Sequence, residues 1–257
     1  MPTKETRFCV SPEGIGGYML VLDQVIFSYG ARPAVERISL DLSPGDVLGV
    51  VGANGAGKST LLRLIAGVMP PHQGRIVLNG RDAFLDHSRY CRQLAYLPER
   101  APLYPEMTPR GFIHYRARIK RERWLRVNRR VSEALTRFDL DSVADTPIVR
   151  LSKGFRKRVA LADAFLLTPA LFVLDDPFAC LDGPAREALA HAVAESAMRS
   201  TLILSGHELE QMIDLCTRFI VLDQGRLAAD ISLRGRDRAG ILPLLRLARA
   251  GKEPAQS

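Results

Sequence analysis

"VLGVVGANGAGKSTLLRLIAGVM", residues 47–69, decides the fold. Its first five residues are wholly apolar and valine-rich, as in a buried strand, and its last part carries leucines at helical spacing. Between them "GANGAGKST" (52–60) fits the pattern G-x-x-x-x-G-K-[ST], after a strand and opening a helix, as that pattern requires. Glycines at 52, 55 and 57 free the backbone to curl, so that successive N–H groups point inward at phosphate oxygens. The helix start adds its partial positive charge. Lys58 can then reach the β- and γ-phosphates, and Ser59 can offer its hydroxyl to Mg²⁺. Asn54, Ala56 and Thr60 complete the nucleotide-binding set. The stretch predicts a nucleoside triphosphate site.

Outward from this loop, strand and helix patterns alternate. "YMLVLDQVIFSYG" (18–30) reads as one strand or two. "ISLDLSPGDVLGVVG" (38–52) alternates, turns at Ser43-Pro44-Gly45 and resumes as the apolar strand, and "GRIVLNG" (74–80) is a short strand between glycines. Prolines cluster from Pro98 to Pro109 and mark a boundary, after which 110–142 is helical in character. "SKGFRKRVALADAFLLT" (152–168) and "GPAREALAHAVAESAM" (183–198) read as helices, the second opened by Pro184. "ALFVLDD" (170–176), "STLILSGH" (200–207) and "RFIVLDQGRL" (218–227) read as strands. This order implies an α/β fold on a parallel or mixed sheet, with a helical insertion at about 100–165.

Composition is that of a globule, 47% hydrophobic and 25% charged, with no run near the roughly 18 apolar residues a membrane helix needs. "MPTKETRFCVSPEGIGG" (1–17) lacks an apolar signal core and reads as a polar tail, and 231–257 reads as a short basic one. Cys9, Cys91, Cys180 and Cys216 show no metal spacing and read as reduced thiols. The net charge of +8 is concentrated: residues 101–150 hold 11 Lys/Arg against 6 Asp/Glu. "RARIKRERWLRVNRR" (116–130) has eight basic residues and one acid. It reads either as a solvated helix face or as a surface for nucleic acid or anionic lipid headgroups, the lipid surface before nucleic acid. Trp124 within it reads either as local packing or as an anchor against a membrane partner.

A phosphate loop needs a carboxylate at the end of a neighbouring strand to hold the metal, and "LFVLDD" supplies it as Asp175, which leaves Asp176 one residue on. Together with further stretches in a fixed order, the chain resembles the nucleotide-binding subunit of ATP-binding cassette (ABC) transporters over residues 19–230. "LSKGFRKRV" (151–159) resembles the family signature, with Ser152, Lys153 and Gly154 at its core. "LFVLDDP" resembles the Walker B strand, and "ACLD" (179–182) the D-loop, ending at Asp182. "LSGHELEQMIDLCTRFIVLDQGRL" (204–227) resembles the switch segment, with His207 at its histidine. Tyr29 falls where the family stacks an aromatic ring on adenine.

The resemblance implies a P-loop NTPase core spanning 18–230, an antiparallel N-terminal β subdomain and an α-helical subdomain at about 100–165. It implies ATP and Mg²⁺, with Ser59, Glu99 and Asp175 toward the metal and Lys58, Asp176 and His207 in catalysis. Two subunits would pack head to tail, each ATP held between one phosphate loop and the other subunit's signature. A separate integral membrane permease would dock on the helical subdomain, at the cytoplasmic face of the inner membrane. No nucleic acid is expected as a partner.

Departures from the family pattern carry information. Asp176 stands where most members have a catalytic glutamate. It is one methylene shorter, and a misplacement of ~1 Å can cost ~10²-fold in rate. Three readings stay open: a slower working base, a degenerate subunit with a competent partner, or a backbone shifted to compensate. Glu99 in "YLPER" (96–100) replaces the usual glutamine, and Lys153 and Phe155 alter the signature; both resemble export-type members. Cys180 and Phe178 read as packing residues, and Arg156, Lys157 and Arg158 as surface and partner contacts. Two other functions stay in play: an ATP-dependent dimerisation module with weakened catalysis, and a soluble ABC ATPase outside transport.

Overall fold

The computed structural model describes residues 17–233 apart from Arg121 and Glu208, together with residues 235 and 243. The tails read from sequence at 1–17 and 231–257 lie almost wholly outside the described residues.

Among the described residues, ten strands fall into two sheets. In chain order the elements are β1 (Leu20–Tyr29), β2 (Arg32–Leu42), β3 (Val47–Gly52), α1 (Lys58–Ile65), β4 (Gln73–Leu78), β5 (Arg81–Asp82), α2 (His87–Cys91) and β6 (Leu94–Leu97). Then come α3 (Pro109–Ile119), α4 (Trp124–Arg137), two 3₁₀ turns, α5 (Lys153–Ala164), β7 (Leu171–Leu174) and α6 (Gly183–Ala197). The last are β8 (Thr201–Ser205), α7 (Leu209–Met212), β9 (Arg218–Asp223) and β10 (Arg226–Ser232). The smaller sheet, ordered β2-β1-β4-β5, is antiparallel. The larger runs β10-β9-β3-β8-β7-β6 and is parallel except for its β10 edge.

The central strands are apolar throughout because both of their faces are covered. Every residue of β3, β7 and β8 is buried. Pleating sends alternate residues to two cores. Leu171 and Val173 of β7 join Leu48, Val50 and Ile203 in a core with α1 and the small sheet. Phe172 and Leu174 join Val51, Leu202 and Phe219 in a core with α3–α6. Phe165 of α5's C-terminal end stacks on Phe172 at 4.8 Å, fixing the helical layer against the sheet. Caps mark the helix starts: Thr108, Ser152 and Asp182 each accept a backbone N–H from the first turn of α3, α5 and α6.

Some sequence readings need correction. "RFIVLDQGRL" is not one strand but a hairpin, β9 and β10. Gln224 (φ 46°) and Gly225 (φ 82°) both take positive φ, the two-residue geometry that matches strand twist. The helical stretch 110–142 is broken near residue 120 into α3 and α4, whose amphipathic faces both pack inward. Trp124 does not pack locally: it is 81% exposed, and the next residue, Leu125, is exposed as well. Cys180 is exposed at positive φ, whereas Phe178 is buried as expected.

Candidate functional site

In open α/β sheets, ligands meet the carboxyl ends of the strands. Here the adjacent strands β3, β8, β7 and β6 end at Gly52, Ser205, Leu174 and Leu97, and the polar groups follow directly. Asn54, Gly55, Lys58 and Ser59 come after β3, and Ser205, Gly206 and His207 at the end of β8. Asp175 and Asp176 come after β7, and Glu99 after β6. All of them line one cavity of about 190 Å³.

The loop before α1 is shaped by its glycines. A side chain at Gly57 (φ 103°) would put its Cβ 2.2 Å from the Ala34 carbonyl oxygen. One at Gly52 would meet the Leu222 carbonyl oxygen at 2.3 Å. Lys58 Nζ donates to the carbonyls of Gly52 and Ala53, both at 2.9 Å, which folds its stem under the loop. Tyr29, half exposed at the end of β1, meets Phe27 edge to face at 5.0 Å.

Asp175 is 2% exposed, and its two oxygens differ. Oδ1 accepts from Ser205 Oγ at 2.6 Å and from Ser59 Oγ at 3.2 Å. Oδ2 is buried with no protein donor. A buried carboxylate oxygen left unpaired beside a hydroxyl and an exposed Glu99 forms a hard-oxygen set that fits Mg²⁺. Among the described residues no three His, Cys, Asp or Glu side chains converge as a metal cage. Mg²⁺ suits that arrangement, since it takes one or two carboxylates and leaves other positions to phosphate and water.

Asp176 has φ 47°, a left-handed conformation that costs a non-glycine about 1–3 kcal/mol and needs support. Its N–H donates to Ser205 Oγ at 3.1 Å, and its carbonyl accepts from Lys157 Nζ at 2.8 Å. Thus Ser205 ties the backbone of one aspartate to the carboxylate of the other. Lys157 and Arg158 are not surface contacts, contrary to the sequence reading, being 9% and 6% exposed. Burial holds the Lys157 ammonium below the usual lysine range, opposed by the nearby carboxylates of Asp176, Asp175 and Glu99. Arg158 donates to Asp139 Oδ2 at 2.7 Å and to both oxygens of Asp182, also at 2.7 Å. That pairing and the Ala185 N–H hold the Asp182 carboxyl below the usual range. Arg156 is exposed, as read.

The signature residues stand apart. Ser152 and Lys153 are exposed at the start of α5, and none of Ser152, Lys153 and Gly154 lines the phosphate-loop cavity. A Cβ on Gly154 would lie 3.1 Å from the Cys180 carbonyl oxygen, so the signature abuts the segment leading to Asp182.

Sequence reasoning missed Ser205 and Lys157. Ser205 sits at the carboxyl end of a strand, where polar groups converge. Lys157 falls in helical register with Ala160, Leu161 and Ala164, all buried, a cation on an apolar face.

Comparison with known proteins agrees with this architecture. Residues 35–179 match the family described as ABC transporter. The chain is 32% identical over 210 residues to the sulfate/thiosulfate import ATP-binding protein CysA of Thermosynechococcus vestitus, covering 81% of this chain and 62% of that protein. The structure of an ATP-binding subunit of an ABC transporter superposes with a TM-score of 0.81 at 30% identity, over 89% of this chain and 99% of that one. A dimeric ATP-binding cassette in a post-hydrolysis state with ADP and Pi superposes with a TM-score of 0.78 at 22% identity, over 85% and 100%. This last likeness speaks to the fold alone.

Proposed function

The chain belongs to the ABC transporter family as an ATP-binding subunit, and from that premise we propose how its residues divide the work of ATP hydrolysis. The observation that carries the assignment is the convergence of four strand ends on one cavity that joins Lys58, Ser59, Glu99, Asp175, Asp176 and His207.

The backbone N–H groups of residues 54–60 and the Lys58 ammonium would cradle the phosphates, with Tyr29 against the adenine. Ser59, Asp175 and Glu99 would hold Mg²⁺, which when bound neutralises charge on the phosphate oxygens. Asp176 would accept the proton of the attacking water, and His207, on the same cavity, would contact the terminal phosphate. The two tethers on the Asp176 backbone hold it at the cavity, which supports the reading of a shorter acid that still works as the base.

None of the signature residues lines the chain's own phosphate-loop cavity. This supports a head-to-tail pair in which Ser152, Lys153 and Gly154 of one subunit close the site of the other. Asp182, at the start of α6 and beside the signature, would lie along the same contact. Among the described residues no helix is long and apolar enough to cross a membrane. The movement would be delivered to a membrane permease, as family membership suggests. The helical layer at about 100–165, at the cytoplasmic face of the membrane, is the proposed dock. Exposed Ile119, Trp124 and Leu125 beside Arg118, Arg123 and Arg126 support that placement. Glu99, Lys153 and Phe155 support export as the direction.

The test is ATP hydrolysis by the assembled complex carrying the native chain, Asp176→Glu or Asp176→Asn. A short working base predicts that Glu holds or raises the rate and that Asn lowers it at least ~10²-fold. A rate indifferent to Asn removes the catalytic assignment of Asp176.

A further inference from the structure

α5 presents the signature at its exposed N-terminus and, five residues on, grips the other half of the chemistry from inside the protein. Lys157 holds the Asp176 carbonyl at 2.8 Å, and Arg158 beside it holds the Asp182 carboxylate. The Asp176 backbone lies in the left-handed region, which non-glycine residues occupy uncommonly, and two neighbours hold it there. Its two fixings have different origins: Ser205, on the N–H, belongs to the sheet, whereas Lys157, on the carbonyl, belongs to the signature helix.

We propose that Lys157 is a positioning residue that couples the N-terminal end of α5 to the Asp176 carboxylate, so that the base reaches its working place only when the signature helix is seated. This rests on the reading of Asp176 as the base. A helix is stiff over five residues, about 7.5 Å of rise, so a displacement at Ser152–Gly154 carries Lys157 with it. The peptide after Asp176 then shifts relative to the sheet, while Ser205 keeps the preceding N–H in place. Aspartate has one side-chain torsion fewer than glutamate, so it can take up less of the change by rotating. Its carboxylate follows the backbone, and ~1 Å of error suffices for ~10²-fold in rate. The shortened acid thereby makes hydrolysis depend on α5, the element proposed to meet the neighbouring subunit's nucleotide.

The experiment measures steady-state ATP hydrolysis by the assembled complex containing the full chain with Lys157→Met, Lys157→Arg, Asp176→Asn, or Lys157→Met combined with Asp176→Asn. Lys157→Met should lower kcat about 10- to 100-fold, with KM for ATP changed less than about threefold, because the phosphate loop is untouched. Lys157→Arg should recover most of the loss by restoring a charged donor. In the Asp176→Asn background Lys157→Met should have no further effect, since a residue acting through Asp176 has nothing left to position. A kcat within twofold of native for Lys157→Met, or a full additional loss in the Asp176→Asn background, overturns the coupling. If Lys157→Met does not fold, Lys157→Gln replaces it under the same criteria. A native rate for Asp176→Asn alone overturns instead the base assignment beneath it.

Discussion

Ser205→Ala removes a single oxygen, and the structure sets what that should cost. Ser205 is buried, donates to Asp175 Oδ1 at 2.6 Å and accepts the Asp176 N–H at 3.1 Å. The first bond is charge-assisted, worth about 1.5–3 kcal/mol, and Asp175 keeps only the longer bond from Ser59. The second leaves a backbone donor without its partner; because Asp176 is only partly buried, water can reach it and the cost falls near 1 kcal/mol, the low end for such groups. The loss totals about 2–4 kcal/mol, and at about 2–4 °C per kcal/mol for a chain of this size the Tm should drop by about 5–15 °C. The assay is thermal unfolding by circular dichroism, with Ser205→Thr as the variant that keeps the hydroxyl. Ser205→Thr should stay closer to native than Ser205→Ala. A Ser205→Ala midpoint within about 2 °C of native would refute the claim that this hydroxyl organises both aspartates.

Two further outcomes follow from the geometry. Gly57→Ala and Gly55→Ala should separate: both meet positive φ, about 1–2 kcal/mol of strain, but only Gly57 faces a backbone oxygen, 2.2 Å from the new Cβ. Titration of a fluorescent ATP analogue should therefore show nucleotide binding reduced at least ~10²-fold for Gly57→Ala and by ~10-fold or less for Gly55→Ala, since ~1.4 kcal/mol is a factor of ten. Replacing Arg123 and Arg126 by glutamate reverses charge on the exposed start of α4. Flotation with anionic vesicles should show the assembled complex binding more weakly at low salt, and equal binding would count against a dock near headgroups.

The loop "GANGAGKST", the apolar strands of the core and the capped helices α3, α5 and α6 were legible because their signals are local. Backbone freedom at glycine, side-chain period and cap chemistry act within a few residues. The β9–β10 hairpin was also locally written, in Gln224-Gly225, but two apolar runs meeting across so short a turn resemble one strand. Arg156, Lys157 and Arg158 could not be told apart in the same way. As a basic run they look equivalent, yet one faces water and two are buried, because the pitch of α5 turns them toward the Asp176 carbonyl and the Asp182 carboxylate.

By itself, then, the sequence determined the main alternation of strands and helices, the phosphate loop and the presence of Asp175 and Asp176 at a strand end. Only the tertiary structure decided which residues surround those aspartates. The order β3-β8-β7-β6 sets Ser205 from one strand between two acids from the next, and packing of α5 on the sheet delivers Lys157 from the opposite side. Such partners are separated by 19 to 30 positions in the chain, and only strand pairing and helix packing bring them within hydrogen-bond distance.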